Sequence, residues 1–390
     1  FRSLVDRVLK NSEEYKVPNS TAEQLWKFME TDLTEAITSG KLTSKTSLED
    51  RDGGTRATLE AARCLLGKIY LYQEKYADAK SELEKVISSG KYDLIADVST
   101  FYHPASAGCK EYVLECVRHY DPSNMYSQEG WFGILANWGF GYGFIAGPEA
   151  SMHYKFNTTS GYSYFNPSKS LYDAFVAEEG ADGYRLNAWI RTWEQVIAMN
   201  IAVNTTTNKY ASEGYFRLKW LASTDDEFVG YWCGNQSNTP VIRYADVLLM
   251  AAEACLQAGD QAGADEYLGR VRDRARLPRK SHVTLSDIKL ERRLELAMEG
   301  MRFQDLKRWG DAPAVLADKG KKLPTFQIVP DPNNDLTTAA GIYNARYTTK
   351  TTYVDNEKSL AGWTPNRDEW LPFPENELEV NSNLKQNPGY

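Results

Sequence analysis

Aromatic side chains interleaved with glycine and asparagine dominate the middle of this chain. The stretch WFGILANWGFGYGFIAGPEA (131–150) contains Trp131, Trp138 and Tyr142. The flat face of an aromatic ring packs against the C–H surface of a sugar ring, and nearby amide or hydroxyl groups bond its hydroxyls. This combination suits a partly wet recognition surface, and a sugar is one ligand that fits it. Trp138 is the leading candidate, because the glycines that follow it leave room for a free-standing ring.

Further candidate contacts follow in the later loops. Arg191 carries a planar guanidinium that can donate to hydroxyls or to a carboxylate, and Tyr215 and Tyr231 add rings with a polar end. The competing interpretation is that each aromatic residue anchors its own loop to the scaffold. For Arg191 the alternative is an ion pair with a neighbouring acid. The sequence leaves both interpretations open.

Motifs for catalysis are missing around these residues. The chain contains no G-x-S-x-G, H-E-x-x-H, P-loop or Rossmann pattern. A glycosidase needs two carboxylates about 5 to 10 Å apart. With 53 acidic residues some pair always lies close, so proximity alone indicates little. We predict a non-enzymatic protein.

Cofactor and metal sites are not predicted either. The five cysteines are irregularly spaced, without a C-x-x-C pair, and are expected to be mostly small buried residues. The four histidines lack ligand-like spacing. The oxygen-rich segment 329–336, VPDPNNDL, lacks the glycine and the final glutamate of a calcium loop, so a turn is expected there.

Overall composition excludes several classes of protein. Lys and Arg number 45 against 53 acidic residues, giving a net charge of -8 that argues against nucleic-acid binding. A hydrophobic content of 42% with 25% charged residues is typical of a folded globular chain. No apolar run reaches the roughly 18 residues that a membrane-spanning helix needs. The sequence therefore predicts no membrane-spanning helix.

Helical periodicity predicts the elements that hold the aromatic segment. Residues 21–38 repeat apolar side chains at helical spacing, with Thr21 as N-cap and Gly40 as stop. Residues 57–89 and 243–275 each resemble a tetratricopeptide repeat, a pair of antiparallel helices packed through small residues. In the first pair, Gly67 and Ala79 are expected to let the helices approach closely.

A third helical block closes the set at LSDIKLERRLELAMEGMRFQDLKRWG (285–310). Its acids and arginines recur at three- and four-residue spacing, which favours pairs along the helix and bridges between repeats. We interpret them as structural. The chain is thus predicted to be mainly α, a tetratricopeptide-like helical-repeat scaffold with a long loop-rich, aromatic-rich insertion, in one compact unit.

Four regions follow along the chain. Residues 1–98 form an N-terminal helical part with one repeat hairpin, and residues 99–240 a loop-rich ligand-binding region. Residues 241–310 supply further repeat helices. Residues 311–390 are expected to be a loop-rich segment packed on the scaffold.

Five blocks of this sequence resemble the SusD/RagB family of outer-membrane nutrient-binding lipoproteins. They occur in order along nearly the whole chain. The blocks are GTRATLEAARCLLGKIYLYQEKYADAKSELEKVI (54–87), NPSKSLYDAFVAEEGADGYRL (166–186), VIRYADVLLMAAEA (241–254), RRLELAMEGMRFQDLKRWG (292–310) and LPFPENELEVNSNLKQNPGY (371–390).

This resemblance implies a function beyond what the residues alone indicate. Such a protein binds oligosaccharide at the outer-membrane surface, as a lid over a SusC-like TonB-dependent transporter. Family members carry an N-terminal lipoprotein signal, a lipidated cysteine and upstream helices that are absent here, so the chain is expected to be truncated or trimmed. The resemblance implies attachment to the membrane only through that lipid anchor, which is not present in this chain. The alternatives are a peptide-binding RagB-like lid or a tetratricopeptide-type adaptor that binds a protein partner.

Overall fold

The computed structural model describes residues 3–117, 166–198, 213–219, 238–335, 337–338, 340–341, 346–357 and 361–390. These residues form twelve α-helices. They are α1 (Ala22–Thr38), α2 (Leu59–Tyr72), α3 (Tyr76–Ser88), α4 (Lys169–Glu179), α5 (Tyr184–Trp189), α6 (Trp193–Ala198), α7 (Tyr244–Gln257), α8 (Gln261–Arg274), α9 (Leu285–Glu295), α10 (Arg302–Arg308), α11 (Ala312–Val315) and α12 (Glu375–Val380).

Strands in the described residues form three separate two-stranded antiparallel ribbons, β1–β4, β2–β3 and β5–β6. Their bounds are β1 (Tyr112–Cys116), β2 (Ile190–Thr192), β3 (Tyr215–Arg217), β4 (Thr239–Arg243), β5 (Lys322–Pro330) and β6 (Tyr347–Asp355). The mainly α fold class predicted from the sequence is confirmed.

The bounds of helix α1 are set by a capping residue at its start and a glycine just after its end. The Thr21 hydroxyl accepts from the Gln24 N–H and the Gln24 side chain accepts from the Thr21 N–H, which completes a capping box. The helix stops at Thr38, and Gly40 then takes a left-handed φ of +66°. A residue without Cβ adopts that conformation at little cost, which is why the chain turns here.

The two predicted repeats are antiparallel helix pairs, α2–α3 and α7–α8, as expected. In the first pair a Cβ on Gly67 would lie 2.8 Å from Leu83, so only glycine permits this approach. In the second pair Gly259 turns with φ +84°, and the Asp260 carboxylate caps α8 at the Gly263 N–H. Both pairs share one hydrophobic core.

Helix α7 is the centre of that core. Every residue from Tyr244 to Cys255 is buried, in keeping with its apolar sequence on all sides. Asp246 and Glu253 are the two acids among them, and each meets an arginine of a later helix. Arg292 of α9 reaches Asp246 at 2.8 Å, and Arg308 of α10 reaches Glu253. Most of the Arg/Glu pattern of residues 291–308 therefore connects different elements.

The ribbon β5–β6 adds regular structure to the segment 311–390. Its nine-residue strands pair in continuous register from Lys322↔Asp355 to Pro330↔Tyr347. Strand β6, YTTKTTYVD, is rich in β-branched and aromatic residues that suit a pleated surface. Residues 331–334 turn at the end of β5 as predicted, where Asp331 accepts from the Asn333 N–H and the Asn334 amide bonds the Arg346 backbone. The extents of the four predicted regions remain a prediction.

None of the helices in the described ranges is long and apolar enough to cross a membrane.

Candidate functional site

The candidate ligand residues divide into two sets. Trp131, Trp138, Tyr142 and Tyr231 lie outside the residues that the structure describes. Arg191 and Tyr215 lie within them, on strands β2 and β3.

The short ribbon β2–β3 decides which way these two side chains face. Arg191 pairs with Phe216, and Thr192 pairs with Tyr215. Directly opposed residues share a face of a ribbon, and successive residues alternate. Arg191 and Tyr215 therefore occupy opposite faces.

Tyr215 lies against a second tyrosine. Its ring centroid is 4.6 Å from that of Tyr172 on α4, with 28° between the planes, and both rings are half-buried. We call Tyr172 and Tyr215 the tyrosine platform. Burial raises the pKa of Tyr215, so its hydroxyl stays protonated and can donate as well as accept at neutral pH. The platform thus combines ring surface with hydroxyl groups.

A polar rim surrounds the platform. The Glu213 carboxylate accepts from the Tyr353 hydroxyl and from the Lys169 N–H, each at 2.6 Å. The Lys169 ammonium bonds both oxygens of Asp173. The bond to Glu213 raises the pKa of Tyr353 to about 12. These acids are engaged by donors on both oxygens, which suits a positioning role better than proton transfer.

An aromatic anchor holds the ribbon on the scaffold. Trp193, Phe216 and Phe326 are buried, with Trp193 and Phe326 meeting edge to face at 5.7 Å. Gly214 enters β3 with φ +87°, and a Cβ there would lie 2.6 Å from the Phe326 ring. These buried rings are packing residues. They fit the interpretation, left open in the sequence analysis, that aromatic residues anchor their own loops to the scaffold. They fix the backbone that carries Tyr215.

The Arg191 guanidinium donates to backbone carbonyls of the preceding turn. Its acceptors are Asn187 O and Ile190 O, the second at 3.1 Å. These carbonyls lie at the end of α5, where cations are favourably placed. On its own face of the ribbon, Arg191 therefore stabilises the junction between α5 and β2.

Lys219 fixes the chain just after β3. Its ammonium is buried and donates to Glu295 O at 3.0 Å, to Ala297 O at 3.1 Å and to the Glu299 carboxylate. It also lies 3.8 Å from the ring centroid of Trp189. Burial lowers the pKa of Lys219 to about 8. The described segment 213–219 is thus tied to the end of α9 and to the residues that follow it.

Sequence analysis did not single out Tyr172, Glu213, Tyr353 or Lys219. Tyr172 offered a weak signal, since it lies three residues before the buried Phe175 on one helix. The other three acquire partners only through contacts between distant segments, such as Glu213 with Tyr353.

Potential metal ligands converge once in the described part of the chain. Glu84, Cys255 and Asp260 bring three ligand atoms within 4.8 Å of one another. Lys80 already pairs with Asp260 at 2.7 Å, and burial raises the pKa of the Cys255 thiol to about 12. A protonated thiol beside an ammonium is a poor cation site.

Comparison with known proteins gives a consistent result. The model of the SusD family matches residues 110–390. The chain is 31% identical over 170 residues to a SusD-like protein of Bacteroides ovatus, covering 39% of this chain and 29% of that protein. It is 26% identical over 362 residues to SusD-like protein P2 of Formosa agariphila, covering 84% and 59%. The chain thus spans less than two thirds of the length of these relatives.

Solved structures are similar over nearly all of the chain. A laminarin-binding SusD-like protein superposes with a TM-score of 0.74 at 27% identity, covering 100% of this chain and 74% of that one. Surface glycan-binding protein A from Bacteroides thetaiotaomicron, solved with laminarihexaose, gives a TM-score of 0.69 at 25% identity, covering 95% and 72%.

Proposed function

This chain belongs to the SusD family, and from that premise we propose that it binds an oligosaccharide at the bacterial cell surface without converting it chemically. The observation that carries the proposal is the similarity, along the whole chain, to a structure of a laminarin-binding SusD-like protein. Similarity to a second protein, solved in complex with laminarihexaose, supports the same ligand class.

The tyrosine platform supplies the local chemistry for that proposal. Its stacked rings offer an apolar face, and the Tyr215 hydroxyl lies at a rim that contains carboxylate and ammonium groups. A sugar residue presents both C–H faces and hydroxyls, so it matches this combination. We propose that Tyr215 contacts the ligand together with Trp138, Tyr142, Trp131 and Tyr231 of the flanking segments.

Absence of catalysis is part of the proposal. The carboxylates nearest the platform, Asp173 and Glu213, are each bound by donors within the protein. A glycosidase instead needs one acid poised with a raised pKa and a second facing it across the scissile bond. The rim is therefore suited to binding.

We further propose that the full-length protein is lipid-anchored at the outer membrane and hands its ligand to a SusC-like TonB-dependent transporter. This partner is a family-level expectation. Co-purification of the full-length protein with the transporter from outer membranes tests it, and recovery of the protein alone from the cytoplasm would contradict it.

A peptide ligand is the second candidate, and one surface favours it. An open groove of about 690 Å³ runs between α3 and α8, lined by residues that include Lys80, Ser81, Ile87 and Tyr267. Grooves between repeat helices commonly hold extended peptides. Mixed polar and apolar lining would suit such a ligand.

One screen separates the two candidates. The protein is run in native gels that contain single polysaccharides, and binding to a peptide library is measured in parallel. The glycan proposal is supported if a polysaccharide retards the parent protein and retards Tyr215→Ala less. Peptide binding that Tyr267→Ala abolishes, without any retardation by polysaccharide, would replace it.

A further inference from the structure

A second group of aromatic and charged side chains lies where α10 meets the C-terminal segment. We define the C-terminal aromatic cluster as Phe303, Lys307, Trp363, Glu369 and Trp370. The rings of Phe303 and Trp363 are 6.4 Å apart at an angle of 58°. The Lys307 ammonium lies 5.2 Å from the Phe303 ring centroid and 6.0 Å from that of Trp370. The cluster belongs to different elements from the tyrosine platform.

The position of the cluster on α10 explains why these side chains meet. Phe303 and Lys307 are four residues apart, so they share one face of the helix. The buried Asp305 takes the opposite side, and the buried Leu306 borders this face toward the core. As a result Phe303 is 38% exposed although it is a large apolar residue. Ring surface is therefore presented to solvent beside a cation.

Unused hydrogen-bonding groups accompany this ring surface. Trp363 Nε1 and Glu369 Oε2 are buried without a hydrogen-bond partner among the described residues. The Lys307 ammonium lies over the rings of Phe303 and Trp370 and within electrostatic range of Glu369, and it donates no hydrogen bond within the described part of the chain. The two unpaired atoms are covered by protein, whereas the Lys307 side chain is only partly buried. Its ammonium is therefore the donor that a bound hydroxyl can reach.

We propose that the C-terminal aromatic cluster is a second carbohydrate-contact surface, which takes a neutral sugar residue against its rings. The inference rests on the proposed function and adds a site to it. A sugar residue offers hydroxyls that can accept from the Lys307 ammonium. Its C–H face suits the ring of Phe303.

Charge selects against other small ligands. A carboxylate or phosphate would be attracted by Lys307 but repelled by Glu369. A cation would be attracted by Glu369 but repelled by Lys307. Lys307 and Glu369 carry opposite charges within electrostatic range of each other, so the cluster has no net charge. A neutral polyhydroxy ligand meets neither penalty.

Two contact surfaces on one chain would change how a long polysaccharide is held. A polymer bound at one surface is presented to the other at high local concentration, so the overall affinity exceeds that of either alone. Short oligosaccharides cannot gain this advantage unless they span both surfaces. The cluster would therefore matter more for polymer capture than for binding of short fragments.

The test compares Phe303→Ala and Lys307→Met with Val315→Ala, a matched change of an exposed apolar side chain on α11. Retardation in polysaccharide gels is measured, followed by calorimetric titration with an oligosaccharide of the retained polymer. We expect both cluster variants to weaken polymer binding by roughly three- to tenfold, with Val315→Ala unchanged. Melting temperatures of the folded variants should equal that of the parent protein. If Phe303→Ala unfolds, Lys307→Met alone tests the cluster.

The outcomes separate this inference from the proposed function. If the parent protein binds no polysaccharide, the proposed function fails and the second surface fails with it. If the parent binds and both cluster variants bind equally well, only the second surface is overturned. Loss of transporter co-purification or of self-association in Phe303→Ala, with glycan binding intact, would also overturn it, because the cluster would then be a protein interface.

Discussion

Arg191 and Tyr215 lie on opposite faces of the ribbon β2–β3, because Arg191 pairs with Phe216 and Tyr215 pairs with Thr192. The Tyr215 ring stacks on Tyr172, whereas the Arg191 guanidinium bonds the carbonyls at the end of α5. Both residues are candidate ligand contacts, yet this geometry prevents them from contacting one sugar residue together. Their individual variants therefore report on different faces.

We expect Tyr215→Ala to weaken oligosaccharide binding by roughly three- to tenfold, since a stacking contact is worth on the order of 1 kcal/mol. Tyr215→Phe, which keeps the ring, should retain most of the affinity. Arg191→Ala should lower the melting temperature and leave the dissociation constant unchanged. Isothermal titration with the oligosaccharide found in the gel screen measures all three. If Arg191→Ala weakened binding and Tyr215→Ala did not, the ligand would be assigned to the face of the ribbon that carries Arg191.

Trp138→Ala should weaken binding by about tenfold or more while the protein stays folded, because a ring beside glycines is expected to stand free of the core. Trp193→Ala is the contrasting variant. Its side chain is 2% exposed and packs on Phe216 and Phe326, so its loss should cost about 3–5 kcal/mol of unfolding free energy. Titration and thermal melting check both. An unfolded Trp138→Ala would show that Trp138 is a packing residue.

Glu295 is the acceptor at the centre of the buried charges. It binds Arg185 at 3.0 Å, Arg243 at 3.1 Å and also Arg274. Burial opposes its ionisation, but these cations outweigh burial and hold the pKa of Glu295 well below its usual range. Glu295→Gln leaves buried guanidinium groups without their carboxylate and should cost about 3–5 kcal/mol in urea unfolding.

The matched control for that change is Glu266→Gln, which breaks the exposed pair with Arg279. An exposed ion pair contributes less than about 1 kcal/mol, so this variant should unfold close to the parent. Equal losses in the two variants would contradict the central role of Glu295.

The buried ammonium of Lys219 should make stability depend on pH. Burial lowers its pKa to about 8 in the folded protein, against an ordinary value of 10.5. Between these values the unfolded chain binds more protons than the folded one, so the contribution of Lys219 to the unfolding free energy rises with pH from about 8 to about 10.5. Lys219→Met should remove that part of the slope. Urea unfolding of both proteins across this range measures it, and identical slopes would refute the assignment.

Incubation with the bound oligosaccharide should release no product above background. The platform acids Asp173 and Glu213 are engaged by donors within the protein. Chromatography of the reaction mixture checks this expectation. Turnover that Glu213→Gln or Asp173→Asn abolishes would show that the protein is an enzyme.

Several features were predictable from the sequence because they depend on neighbours along the chain. The N-cap at Thr21, the stop at Gly40 and the close approach at Gly67 follow from residue type and short-range spacing. The two helix pairs and the mainly α fold are confirmed. The resemblance to the SusD/RagB family is confirmed by the family model that matches residues 110–390. It could be predicted from the sequence because its motifs are ordered blocks of residues that need no three-dimensional information.

Contacts between distant segments were decided by the tertiary structure. Tyr172 meets Tyr215, Glu213 meets Tyr353, and the acids of α9 meet arginines from other elements. A chain with 45 basic and 53 acidic residues allows many charge pairings of similar energy, and its 24 tyrosines allow many stacks. Which pairs form depends on how buried apolar surfaces dock the helices and ribbons, a non-directional interaction that short-range spacing does not encode. The sequence alone thus determined the helical scaffold and its family, and packing selected which polar and aromatic side chains share a surface.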